Sequence, residues 1–103
     1  MKAFVRMHGE LAGVLARSNG SISFQYDPDY LAKGLPPVSL SLPLQAQPYI
    51  DKRLPPYFEG LVSEGWLRRI QAKEQRIDPE DHFALLVHNG RDLPGAITIE
   101  LAE

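Results

Sequence analysis

Cysteine is absent from this chain, which removes disulfides, thiolate catalysis and zinc–cysteine sites at once. The absence suits a reducing compartment. No apolar run is long enough to span a membrane. The opening stretch meets Arg6, His8 and Glu10 too soon for a secretory apolar region. A cytoplasmic protein with no membrane partner is therefore expected. Neither sign of charge dominates: 11 Lys and Arg stand against 13 Asp and Glu. A net charge of −2 gives no global case for nucleic-acid binding. Neither a G-x-x-x-x-G-K loop nor a G-x-G-x-x-G turn is present, so nothing cradles a phosphate or a dinucleotide. What is there is ordinary globular composition. With 103 residues, 44% of them hydrophobic, the chain is expected to form one domain, residues 1–103, around a real core.

The sharpest local signal is Asn19-Gly20, a dipeptide that tolerates positive φ at both turn positions. Leu11–Arg17 precedes it, and Ser21–Tyr26 follows with Ile22, Phe24 and Tyr26 alternating against Ser21, Ser23 and Gln25. A two-residue loop sets Leu15 opposite Phe24 and Gly13 opposite Tyr26, placing an aromatic ring over a cross-strand glycine. Phe4–Met7 is read as an earlier strand, turned by His8-Gly9, which completes a three-strand meander. Asp27–Ala32 reads as a turn or one helical turn closed by Lys33-Gly34. Val38, Leu40 and Leu42 alternate with Ser39 and Ser41, predicting a short strand or extended segment that Pro43 ends. Pro48–Pro56 is expected to be loop.

The second half is predicted helical. Pro55-Pro56 suits the first turn of a helix through Tyr57–Val62. Ser63 is placed to cap a helix from Glu64 to about Arg76, with Leu67 and Ile70 on its core face and Glu64–Arg68 as an i,i+4 pair. Asp78-Pro79-Glu80-Asp81 reads as the next helix start, with Asp78 as cap and Pro79 first. Phe83, Leu86 and Val87 face inward, and Asn89-Gly90 ends that helix. Ala96–Leu101 is expected to return to the sheet. The fold class is α+β: a small antiparallel sheet, an N-terminal meander plus a C-terminal strand, packed with about three short helices.

No catalytic constellation assembles. His8, His82 and His88 lack metal spacing and read as surface or cap residues. The acids at 78, 80 and 81 are explained by the helix start, and Ser39 and Ser41 have no partnering base. Catalytic, cofactor and metal sites are all set at none, and an enzyme is not expected. Arg68, Arg69, Lys73 and Arg76 form a basic stripe, either a solvated face or a dock for an acidic or phosphate-bearing surface. Trp66, the one tryptophan, follows Gly65 at the opening of the helix and points about 100° away from Leu67, toward the edge. Such a residue is rim packing or a binding anchor.

Several stretches resemble one family. Pro36–Leu44, PPVSLSLPL, is similar to the "PLSLSLPL" segment of HipA-type toxin kinases, and Pro56–Gly65, PYFEGLVSEG, to their "PFFEGLLPEG". Asp81–Leu86, Gly90–Asp92 and Pro94–Ile97 continue the match, and Gly9–Leu15 with Phe24–Tyr26 resembles the opening hairpin. The one departure is Ser63 where the family has proline. In that family this region is the first N-terminal subdomain of a serine/threonine kinase and holds none of its catalytic residues. With Met1 at its start and a complete final strand, the chain is expected to be a natural stand-alone protein rather than an excised subdomain.

Stand-alone copies resemble HipS, the small subunit of tripartite HipBST-like toxin–antitoxin systems. The resemblance implies a bacterial antitoxin that binds and inhibits a separate HipT-like kinase in trans. A HipB-like helix-turn-helix protein is the third member, and DNA is reached only through that complex. A rigid aromatic at a helix start is an efficient anchor, and steric blocking needs no catalytic residue. Trp66, Gly65 and Glu64 are therefore expected to enter a cleft of the kinase, with Arg69 and Lys73 as second-rank contacts. A non-inhibitory subunit that completes the kinase and a DNA-binding module using the basic stripe are the other readings.

Overall fold

The computed structural model describes residues 1–93 and 95–102, with residue 92 described by its backbone alone. Strands β1 (Lys2–Met7), β2 (Glu10–Ser18) and β3 (Ser21–Tyr26) form the expected meander. Both turns have the geometry their sequences demand: His8 and Gly9 lie at φ 50° and 84°, Asn19 and Gly20 at 53° and 79°. Positive φ at both central residues matches the twist of the flanking strands. Leu15 pairs with Phe24 and Gly13 with Tyr26, as the loop length requires. The ring over Gly13, however, belongs to Phe24 rather than Tyr26. A β-carbon on Gly13 would meet the Gln25 carbonyl at 2.4 Å and the Phe24 ring at 2.9 Å. The β1–β2 register shifts between Val5 and Arg6, which puts Ala12 and Gly13 both in the interior.

Helix α1 (Pro28–Ala32) follows, capped by Asp27, whose carboxylate accepts from the Asp29 and Tyr30 amides. The alternating Val38–Leu42 segment is not a strand. Val38 and Leu42 are buried, but Leu40 is 94% exposed. Two tyrosines impose this path. The Tyr26 hydroxyl donates to the Leu42 carbonyl and accepts from the Val38 amide, while the Tyr30 hydroxyl donates to the Pro36 carbonyl. The Leu42 amide then bonds the Ser39 carbonyl, leaving Leu40 at the tip of a turn. Burial pushes the Tyr26 phenol pKa up, so the hydroxyl keeps the proton it donates.

A further strand lies in the region expected to be loop. β4 (Tyr49–Asp51) pairs with β3, matching Asp51 to Ile22 and Tyr49 to Phe24. Helix α2 (Pro56–Glu59) starts at proline as expected and buries Phe58. Helices α3 (Gly65–Gln75) and α4 (His82–Asn89) follow, and a 3-10 turn (Gly90–Asp92) leads to β5 (Ile97–Leu101). The antiparallel sheet has the order β4-β3-β2-β1-β5, so the last strand closes beside the first. The architecture is α+β, with one helix more than expected. One face of the sheet supplies Val5, Leu15, Phe24, Tyr26 and Ile99 to the core, where they meet Phe58, Phe83, Leu85 and Leu86.

The start of α4 differs from expectation, while its end at Asn89-Gly90 is as expected. The cap of α4 is Asp81, not Asp78. The Asp81 carboxylate accepts from the Ala84 amide, while Asp78 Oδ1 accepts from Glu80 and closes a preceding turn. At the far end Gly90 has φ −78°, so conformational freedom is not its role. A β-carbon there would lie 2.6 Å from the Ile99 carbonyl oxygen, and only glycine lets the helix end settle on β5.

A candidate partner-docking surface on α3

The chain enters α3 through Glu64 in extended backbone and Gly65 at φ +58°. Ser63 does not cap the helix; the N-cap position is Glu64, whose side chain makes no capping bond. The left-handed Gly65 therefore sets the angle at which α3 begins. Trp66 comes next, 67% exposed. Leu67 and Ile70, expected on the core face, are each 42% exposed. The inner face is instead Arg68, Gln71 and Ala72, with only Ala72 fully buried. Trp66 and Ile70 are four apart and share the outward face. The helix is amphipathic with its large apolar residues turned to solvent.

Polar clasps hold α3 in place. Gln75 and Asn89 exchange two side-chain amide bonds of 2.8 and 2.9 Å. Arg68 Nη1 lies 3.0 Å from His82 Nε2, and His82 Nδ1 bonds the Glu59 carboxylate. Arginine only donates, so Nε2 is the acceptor and the ring proton sits on Nδ1, facing Glu59. The chain Arg68–His82–Glu59 thus ties α3, α4 and α2 together. It also removes Arg68 from the basic stripe, and the expected Glu64–Arg68 pair is absent among the described residues. Arg69, Lys73 and Arg76 remain exposed, without a salt bridge among the described residues. The Arg68–His82–Glu59 clasp had one legible sign. Arg68, Gln71, Ala72 and Gln75 recur at i, i+3, i+4 and i+7, the spacing of an inner face made from polar and small residues.

Beside the start of α3 opens a cleft of about 1100 Å³, whose walls include Arg17, Lys52, Arg53, Glu64, Glu80 and His82. Arg17 spans from the sheet to α4. Its guanidinium lies 2.6 Å from Asp81 Oδ1 and 4.8 Å from the Phe83 ring centre. Partial burial works against the Asp81 carboxylate, but the Arg17 and Ala84 bonds and the nearby positive charges outweigh it and hold its pKa below the ordinary value. Nothing in this cleft resembles a nucleophile with its base. Among the described residues no three His, Asp or Glu side chains are grouped to hold a metal. No described helix is long and apolar enough to cross a membrane.

Residues 3–100 match the HipA N-terminal domain family. The chain belongs to that family. This HipA N-terminal domain superposes on the solved N-terminal domain of HipA toxin with a TM-score of 0.73 and 37% identity, covering 99% of this chain and 94% of the other. It is 42% identical to an uncharacterized protein of Haemophilus influenzae, over 93% of this chain and 88% of that one. It is 36% identical to Y4dM, a kinase by name from Sinorhizobium fredii, and 32% identical to Y4mE of the same organism. Those matches take in 96% and 88% of this chain but only 26% and 22% of the two kinases. The HipA N-terminal domain therefore accounts for about a quarter of each of those proteins, and its relatives include proteins named as kinases.

Proposed function

We propose that this chain is a non-catalytic regulator that binds a separate HipT-like kinase and inhibits it in trans, as the antitoxin of a HipBST-like system. Trp66 is the anchor, inserted with Gly65 and Glu64 near the kinase's active-site cleft, with Arg69 and Lys73 as second-rank contacts. A HipB-like helix-turn-helix protein joins the complex and carries any contact with DNA. The exposure of Trp66 on a helix start set by Gly65 supports this reading most directly. A stiff aromatic that is already solvent-facing loses little conformational freedom on docking, and anchors of this kind typically cost about 2 kcal/mol or more when truncated.

The test is co-expression with the HipA-type kinase of the same genome, comparing wild type with Trp66→Ala. Growth and co-purification are both read. Growth rescued by wild type and lost with Trp66→Ala is the expected result. Rescue by the mutant as good as wild type sinks the anchor. A second reading is a structural subunit that completes the kinase without inhibiting it. It is favoured by the two Sinorhizobium fredii kinases, in which a similar domain is part of the same chain. A stable complex whose kinase stays active marks that outcome.

A further inference from the structure

One end of the molecule gathers more than Trp66. The Asn19-Gly20 turn lies there, and the pairing of Asp51 with Ile22 brings the Lys52-Arg53 loop beside it. The Arg17–Asp81 bond adds the start of α4, and Arg68–His82 adds the first turn of α3. The end of β5 is there too: Leu101 pairs with Ala3, and the Ala102 amide bonds the Lys2 carbonyl, next to the Lys2–Ala16 pair. The cleft opens among these parts. Around it, Lys52, Arg53, Glu64, Asp78 and Glu80 form no salt bridge among the described residues, although both signs are present. The matching domain is the N-terminal one in HipA toxin, by the name of that solved structure, so there the equivalent of β5 leads toward the remainder of the protein.

We infer that this whole end is the kinase-docking surface. The separate kinase body sits on the side where the remainder of HipA leaves its N-terminal domain. A projecting segment of that kinase fills the cleft, setting acidic side chains against Lys52 and Arg53 and basic ones against Asp78 and Glu80. The inference rests on the kinase reading given above and extends it from one helix to a second, charge-complementary contact. Unanswered charges of both signs in a concave wall fix orientation and register, which a lone apolar anchor cannot do. Trp66 then supplies the apolar contact and the cleft the alignment.

The experiment measures binding of the HipA-type kinase of the same genome to four forms of the full chain: wild type, Lys52→Glu with Arg53→Glu, Glu80→Lys, and Lys33→Gln. Lys33 pairs with Glu10 beside the His8-Gly9 turn, at the opposite end of the meander. Thermal melts and a salt series accompany each titration. The two cleft variants are expected to weaken binding about tenfold or more and to flatten its salt dependence, with melting unchanged. Lys33→Gln is expected to bind as wild type does. Wild-type affinity in both cleft variants, with Trp66→Ala still defective, overturns the cleft contact and leaves the kinase reading standing. Equal weakening by Lys33→Gln overturns it as well. Failure of the wild-type chain to bind the kinase removes the kinase reading and this inference with it.

Discussion

Helices α3 and α4 are clasped to one another, yet they follow opposite rules. In α4, five consecutive residues from Phe83 to Val87 are buried, so almost the whole circumference of its middle is core. In α3, eleven residues bury only Ala72, and Trp66, Leu67 and Ile70 look outward. Apolar burial stabilises a fold roughly in proportion to the area removed from water. By that measure α4 holds the domain together, while the apolar residues of α3 contribute little to it. What keeps α3 in place is a set of polar clasps at its two ends, from Arg68 to His82 and from Gln75 to Asn89. A helix that presents large apolar groups to water and is fastened by polar side chains is what the proposed docking role calls for.

The contrast breaks most visibly through truncation. Phe83→Ala is expected to cost about 3–5 kcal/mol in urea unfolding, because it empties a packed core position beneath Arg17. Trp66→Ala in the same assay is expected to stay within about 0.5 kcal/mol of wild type. If Trp66→Ala destabilises the fold as much as Phe83→Ala does, α3 belongs to the core and the contrast is wrong.

The glycines sharpen the comparison. Gly90→Ala is expected to cost about 1–3 kcal/mol, since the new methyl collides with the Ile99 carbonyl although its φ is ordinary. Gly65 is the reverse case: nothing lies within 4 Å of an added β-carbon, but φ is +58°. Gly65→Ala is expected to cost about 1–2 kcal/mol through backbone strain alone, and Gly65→Asn less, because asparagine tolerates left-handed backbone. An asparagine variant no better than alanine would show that strain is not the cause.

The smallest expected loss of stability apart from that of Trp66→Ala is pH-dependent and belongs to the cap of α4. The folded-state pKa of Asp81 is depressed, so its contribution is present above the unfolded-state pKa and is lost as pH falls through the folded one. Asp81→Asn should therefore cost about 1 kcal/mol near neutral pH, and its stability should converge on that of wild type in acid. Melts across an acid series check this; a gap that persists at low pH would separate the cap from its charge.

Much of the first half was legible because its signals are local. Asn19-Gly20 needs only its own dihedrals to choose a two-residue turn, and the strand period then sets the pairing of Leu15 with Phe24. The β5 strand and the inward Phe83, Leu86 and Val87 were legible for the same reason. The Val38–Leu42 alternation misled because the Val38 amide and the Leu42 carbonyl bond the Tyr26 hydroxyl, and the Leu42 amide turns back to Ser39, rather than to a neighbouring strand. The Tyr49–Asp51 strand was missed because three residues flanked by prolines carry too little pattern. Of the candidate site, Trp66 and Gly65 stood out from composition and position. The cleft charges Lys52 and Arg53 did not, since loop residues acquire a role only from what lies across from them.

By itself the sequence determined the meander, its turns and register, the α+β class, and membership of the HipA N-terminal domain family. All of these follow from dihedral preference, short-range period, or motif. Only the tertiary structure decided which side of α3 faces water. A helix's period shows where its faces lie but not which neighbour each will meet. Here His82, Glu59 and Asn89 drew the polar side of α3 inward and left Trp66, Leu67 and Ile70 turned out.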